Sequence, residues 1–122
     1  MKLHASSASG VHLITAYGDG FVAVNGARHE QNLVLLPDRI LPWDVADFEA
    51  LRAEDFQPLA ALDLEVLLLG TGRTLRFPAP QLTRALAEAR IGLEVMDARA
   101  ACRTYNILAA EGRRVAAALL LR

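Results

Sequence analysis

The first half of the chain alternates short apolar runs with turn residues. Residues 11–17 and Phe21–Val24 are runs of apolar, β-branched and aromatic residues, and two glycines lie between them. Such runs are typical of strands, and the glycines predict a tight turn. Asn25-Gly26 suits a type I′ turn, and Leu33–Leu36 is a further apolar run that ends at a proline. Together they predict a meander of three or four short strands.

Between residues 44 and 62 the apolar residues recur at every third position, a spacing that favours helix over strand. Pro58 limits such a helix, because proline fits only its first turn. We therefore predict one short helix that ends near Leu62.

The second half alternates strand and helix patterns. Residues 64–69 form a nearly continuous apolar run, the pattern of a strand buried on both faces, and such strands occur chiefly in parallel sheets. The other predicted elements are a helix from Pro80 to Gly92, a strand over residues 93–96, a helix capped by Asp97 and ended by Gly112, and a strand over Val115–Leu120. This order predicts a layered α/β domain.

Length and composition predict one domain over residues 1–122, with residues 1–10 frayed. No apolar run is long enough to span a bilayer and the first ten residues have no cleavage signature, so we expect a cytoplasmic protein that does not span a membrane. The net charge is −1 and the arginines form no run, which argues against nucleic acid as a partner. Arginine-rich usage, with Lys2 the sole lysine, suggests a bacterial gene.

No catalytic or metal-binding constellation emerges from the sequence. Cys102 is the only cysteine, which excludes an internal disulfide and a thiolate zinc site. Its spacing places it on the apolar face of a helix, so we predict a buried structural cysteine. His4, His12 and His29 lack metal-ligand spacing and are expected on the surface or in loops, and the serines at positions 6, 7 and 9 lack the setting of a hydrolase nucleophile. We expect no catalytic residue, no metal and no cofactor.

One candidate pocket for an anion or other ligand remains. Its residues are Gly70, Thr71, Gly72, Arg73, Asp97 and Asn106. Bare backbone N–H groups after a buried strand can face an anion, and ligands of open α/β sheets bind at the carboxyl ends of strands. Structural roles are the alternative: small residues at a strand exit, a helix cap, and a buried amide that ties the chain together. The third glycine of a dinucleotide-binding motif is absent.

Four stretches resemble a known family in combination. They are LLLGTG at residues 67–72, LEVMD at 93–97, ACRTYNIL at 101–108 and EGRRVAAAL at 111–119. Pro37 and Trp43 also stand where the family tends to place them, whereas Ala98 replaces a frequent threonine. The chain resembles a small domain-of-unknown-function family of many bacteria. Its eukaryotic relatives include a mitochondrial respiratory complex I assembly factor and an adipogenesis-associated protein.

The resemblance implies a single three-layer α/β domain with a mixed central sheet, flanking helices and a small extra β layer from the N-terminal half. It implies no established enzymatic activity. Our leading hypothesis is a non-catalytic interaction or assembly protein with an unknown protein partner, and a homo-oligomer is possible. The alternative is a small-molecule or anion-binding protein or enzyme that uses the candidate pocket. A contiguous apolar surface patch would favour the first, and a deep pocket joining the polar groups would favour the second.

Overall fold

The fold is built on eight strands, as seen in a computed structural model that describes residues 10–122. In chain order they are β1 Ile14–Gly18, β2 Phe21–Val24, β3 Ala27–His29, β4 Leu33–Leu36, β5 Arg39–Pro42, β6 Val66–Thr71, β7 Gly92–Met96 and β8 Val115–Leu120. Five of them form one mixed sheet in the order β5-β4-β8-β6-β7, and the other three form a separate antiparallel sheet in the order β1-β2-β3. Within the larger sheet, β8 pairs with β6 in parallel and with β4 antiparallel.

The N-terminal meander forms over β1 to β3, and its predicted turn is present. Asn25 and Gly26 have φ angles of 48° and 88°, the left-handed conformation that a type I′ turn requires. The first strand begins at Ile14, later than predicted. The chain before it does not pair with β2 at this point, because the His12 amide donates to the carbonyl of Pro37 at 2.8 Å. The strand β4 leaves the meander and joins the central sheet as a hairpin with β5.

Strict alternation along the central strands separates two cores. Val66, Leu68 and Leu119 belong to one core, whereas Leu67 and Leu69 belong to the other. Every residue of β6 and β8 is buried, and for β6 this confirms the prediction of a strand covered on both faces. This pattern arises because successive side chains of a strand point to opposite faces of its sheet.

The helical segments before β7 are shorter than the sequence pattern predicts, whereas α3 forms as predicted, with Asp97 as its cap. The α-helices are α1 Ala53–Phe56, α2 Arg84–Glu88 and α3 Ala98–Ala110, and single 3-10 turns cover Phe48–Ala50, Pro58–Ala61 and Pro80–Thr83. The prediction of one helix ending near Leu62 is wrong, because Leu51 is extended and Pro58 opens a new turn. The stop assigned to Gly92 is also wrong: Arg90 takes the positive φ, and Gly92 begins β7.

The layers follow from which elements cover each face of the central sheet. The helix α3 and the β1–β3 sheet pack on one face, where Tyr105, Cys102 and Val22 are buried. The short helical segments, with Phe56 and Trp43, cover the other face. This arrangement confirms the three-layer α/β fold with a mixed central sheet and a small extra β layer. In the part of the chain that the structure describes, no helix has both the length and the apolar character needed to cross a membrane.

The close packing around β8 gives a first prediction. Ala117 is fully buried on the α3 side of the sheet, so the extra atoms of an Ala117→Leu side chain must displace neighbours. We expect the variant to lose about 1–3 kcal/mol of unfolding free energy, measured by urea denaturation. Ala110→Leu, at the exposed end of α3, is the control and should change stability by less than about 0.5 kcal/mol. Equal stability of the two variants would contradict close packing at β8.

Candidate functional site

The predicted pocket begins at the carboxyl end of β6. Gly70 lies within the strand, and a Cβ atom built on it would stand 3.2 Å from the Cα atom of Ala98. Thr71 is fully buried, and its hydroxyl donates to the carbonyl of Thr74 at 2.6 Å while it accepts the amide of Arg76 at 3.1 Å. The glycine therefore permits α3 to approach the sheet, and the threonine holds the loop that follows the strand.

Gly72 and Arg73 leave the strand at the same edge. Gly72 has a φ of 84°, and a Cβ atom on it would collide with the backbone carbonyl of Arg122. Its own carbonyl accepts the amide of Ala98 at 2.8 Å. The Arg73 side chain is exposed, and its Nε atom lies 3.9 Å from a carboxylate oxygen of Asp19. Close backbone contact thus accounts for the second glycine, while the arginine faces solvent.

Asp97 precedes α3 as its N-cap, and Asn106 lies in the second half of the helix. The Asp97 carboxylate caps the helix by accepting the amide of Ala100 at 2.9 Å. Asn106 lies about 13 Å further along the helix axis, at 1.5 Å per residue. Its side-chain amide donates to the carbonyl of Ile14 and accepts the amide of the same residue, both at 2.8 Å. The structure therefore brings Asp97 to the edge formed by the glycines and uses Asn106 to join α3 to β1.

The Cys102 thiol is buried, as predicted. Its exposed fraction is 1%, and burial raises the pKa of the thiol to about 12, although the positive charge of Arg103 acts in the opposite direction. Burial likewise raises the pKa of Tyr105, whose hydroxyl donates to the carbonyl of His12 at 2.8 Å. A thiol that stays protonated near neutral pH is a poor nucleophile.

The histidines agree only in part with the prediction of surface or loop positions, since His12 lies in a loop whereas His29 lies within a strand. His12 precedes β1 and His29 lies in β3, and both are half-buried. Among residues 10–122, no group of three or more His, Cys, Asp or Glu side chains is arranged to hold a metal ion. His4 and the serines at positions 6, 7 and 9 lie outside the described residues, as does most of the segment predicted to be frayed.

An exposed apolar segment follows β6, at positions where the sequence pattern predicts no functional role. Leu75 and Phe77 are 51% and 71% exposed. Between them, the guanidinium of Arg76 donates to the carboxylate of Glu49 at 2.9 Å and lies 4.6 Å from the centre of the Phe48 ring. The segment is thus anchored while its two large apolar side chains face solvent. The signal in the sequence was a pair of apolar residues without strand or helix periodicity.

A surface cavity of about 510 Å³ lies away from this segment. Residues 30–32 and 42–46 line it together with Leu121 and Arg122. Beside it, the Asn32 side chain donates to the carbonyl of Val45 at 2.6 Å and accepts the amide of Leu121 at 2.8 Å. Those bonds give Asn32 a structural role between the start of β4 and the end of β8, and none of the predicted pocket residues lines this cavity.

The fold and this edge define the class of the protein: a three-layer α/β domain that carries an exposed apolar segment after a central strand. The crystal structure of a Bordetella parapertussis protein has this fold, with a TM-score of 0.87 and 42% identity over 93% of this chain and 98% of that one. A solution structure from Bordetella pertussis, described as a Mth938-like domain, matches with a TM-score of 0.83 and 37% identity over 99% of this chain and 92% of that one.

The chain belongs to the family described as "Protein of unknown function (DUF498/DUF598)", which it matches over residues 14–120. The bovine relative named NADH dehydrogenase [ubiquinone] 1 alpha subcomplex assembly factor 3 is 33% identical over 109 residues, which are 88% of this chain. The chain spans 59% of the length of that relative. These matches confirm the resemblance found in the sequence.

Burial of the thiol gives a second prediction. Native protein should react with a thiol reagent at least about a hundredfold more slowly than urea-unfolded protein, because labelling requires local opening that costs several kcal/mol. The reaction is followed by mass spectrometry. Equal rates in the two states would show that Cys102 is accessible and would overturn its placement in the core.

The same burial sets a pH dependence. The unfolded thiol loses its proton near the ordinary pKa of 9.0, whereas the folded thiol keeps it up to about 12. The unfolded state therefore binds fewer protons within this window, and the unfolding free energy should fall as pH rises through it. Cys102→Ala, compared by urea denaturation at several pH values, should show a shallower fall than the natural chain.

Proposed function

We propose that this chain is a non-catalytic interaction or assembly protein that acts by binding another protein. The observation that carries the proposal is the exposed apolar segment at Leu75 and Phe77. Large aromatic side chains that are exposed in the free protein are frequent anchors of protein interfaces. The bovine relative is named as an assembly factor of NADH dehydrogenase, and we propose the same class of role for this chain.

The packing of the segment supports a binding role. Full burial of an aromatic side chain contributes about 1.5–3 kcal/mol to association. The contacts of Arg76 with Glu49 and Phe48 hold the loop before a partner arrives, and Pro78 and Pro80 restrict the backbone that follows. A segment that is ordered in advance loses less conformational entropy on binding. The segment thus exposes apolar surface and loses little conformational entropy when a partner binds it.

The cellular setting is part of the proposal. We place the protein in the cytoplasm of a bacterial cell, from the sequence features described above. Its protein partner would be a subunit or precursor of a respiratory NADH dehydrogenase, by analogy with the name of the bovine relative. A second copy of this chain is an alternative partner for the same segment.

A deletion strain of the encoding organism tests the proposal. We expect loss of the chain to lower the amount of assembled NADH dehydrogenase, measured by native gel electrophoresis and NADH oxidation in isolated membranes. The natural chain should restore the assembled enzyme, whereas a Leu75→Ser, Phe77→Ser double variant should not. Losing about 2 kcal/mol of binding free energy weakens the affinity for the partner about thirtyfold. Ile107→Ser is the matched control, since Ile107 is 59% exposed on α3 and should be replaceable.

Two outcomes would contradict different parts of the proposal. Normal NADH dehydrogenase in the deletion strain would overturn the assembly role. Full rescue by the double variant, at matched protein level and melting temperature, would leave the assembly role intact and overturn the role of the apolar segment.

The alternative function, binding of a small anion at the edge formed by Gly70, Thr71, Gly72 and Asp97, stays a prediction. The observation that favours it is the exposed guanidinium of Arg73, which lies beside that edge at a long distance of 3.9 Å from the Asp19 carboxylate. Calorimetric titration with inorganic phosphate tests it: binding that is lost in Arg73→Ala would support the site, and absence of heat at millimolar phosphate would remove it.

A further inference from the structure

Four arginines from separate parts of the chain surround the turn between β1 and β2. We call them the arginine cluster: Arg73 after β6, Arg99 and Arg103 in α3, and Arg122 after β8. The turn carries one carboxylate among them, that of Asp19. Asp97 adds a second carboxylate at the start of α3, so the four positive charges still outnumber the two negative charges beside them although the whole chain has a net charge of −1.

The Asp19 carboxylate lies between two arginines of the cluster. One of its carboxylate oxygens lies 3.9 Å from Nε of Arg73 and 3.7 Å from an Nη atom of Arg99. Close charge-assisted hydrogen bonds measure about 2.7–2.9 Å, so both contacts are long. Both arginine side chains are more than half exposed, at 75% and 63%. Exposed ion pairs of this kind contribute little to stability, so an incoming carboxylate can replace them.

The other two arginines are held in place by neutral groups. A guanidinium N–H of Arg103 donates to the Tyr17 hydroxyl at 3.1 Å, a contact with a neutral group. The Arg122 guanidinium lies over Gly20, where a Cβ atom would stand 2.9 Å from its Nε atom. The Gly20 amide donates to the carbonyl of Leu121 at 3.2 Å, which ties the turn to the end of β8. The charges are therefore arranged on a fixed backbone.

We propose that the arginine cluster binds an acidic segment of a protein partner, with a carboxylate of that segment taking the place of Asp19 between Arg73 and Arg99. The proposal deepens the proposed function, on which it rests for the class of partner. Guanidinium groups recognise carboxylates through paired N–H donors.

A peptide suits this surface better than a nucleic acid. Nucleic acids draw their affinity from extended positive surfaces, and single strands also need aromatic rings on which bases stack. The ring beside the turn, Phe21, is already covered by the guanidinium of Arg28, 3.9 Å from its centre. The remaining surface carries an excess of acidic side chains, which would repel a long polyanion.

Fluorescence anisotropy with a labelled hexaglutamate peptide tests the proposal on the full chain. We expect saturable binding that hexaglutamine lacks and that weakens as salt rises. An Arg73→Ala, Arg99→Ala double variant should bind at least about tenfold more weakly, the effect of losing about 1.4 kcal/mol. Arg84→Ala, which removes an exposed arginine from α2, is the control and should leave the affinity unchanged.

Asp19→Asn gives the sharper test, because it removes the internal carboxylate that competes with the peptide. We expect this variant to bind hexaglutamate severalfold more tightly. Glu88→Gln changes the net charge equally at an exposed site on α2, which packs on the other face of the central sheet, and should have no such effect. Equal affinities of these two variants, or full affinity of the double arginine variant, would overturn the proposal.

Two further binding measurements distinguish the peptide from a nucleic acid and the arginine cluster from the apolar segment. Tighter binding of a hexathymidylate strand than of hexaglutamate would overturn the choice of a peptide. The Leu75→Ser, Phe77→Ser variant should keep its affinity for hexaglutamate, since those residues are not members of the cluster. Failure of the arginine cluster and failure of the apolar segment are thus recognised in different measurements, peptide binding in one case and rescue of the deletion strain in the other.

Discussion

The complete burial of β8 is the constraint on which the rest of the structure depends. The strand joins the antiparallel hairpin of β4 and β5 to the parallel pair β6 and β7, and all six of its residues are buried. A strand buried on both faces requires an apolar layer on each side. The chain supplies α3 and the small sheet on one side and short helical segments on the other. Three of the six residues, Ala116, Ala117 and Ala118, are small, which lets both layers approach closely.

The same topology collects the candidate surfaces at one edge. Because β6 runs parallel to both β7 and β8, the carboxyl ends of all three strands lie together, beside the first turn of α3. The β1–β2 turn reaches this edge through the bond from Gly20 to Leu121. The apolar segment after β6 and the arginine cluster therefore begin from neighbouring points of a rigid scaffold. Loops held in this way are common positions for binding residues.

The two proposed surfaces would contribute differently to one interface. Phe77 offers apolar area, which supplies most of the free energy of association. The arginine cluster offers a local positive field, which speeds encounter with an acidic partner and selects against basic ones. Their combination fits an assembly protein, whose task is to recognise a particular partner and then release it. Tight burial of Cys102 and the internal bonds of Asn106 stabilise the scaffold behind these surfaces.

The sequence by itself determined the features that depend on near neighbours. Apolar runs predicted the buried strand β6 and the presence of β8, Asp97 predicted the cap of α3, and the spacing around Cys102 predicted its buried face, because periodicity and capping involve residues within about four positions. The tertiary structure alone decided the rest. Asn106 meets Ile14 across 92 positions, and Asp19 meets Arg73 and Arg99 only because the crossovers bring separate strand ends to one edge. Such contacts are set by the path of the chain through space, which leaves no periodic signal along the sequence.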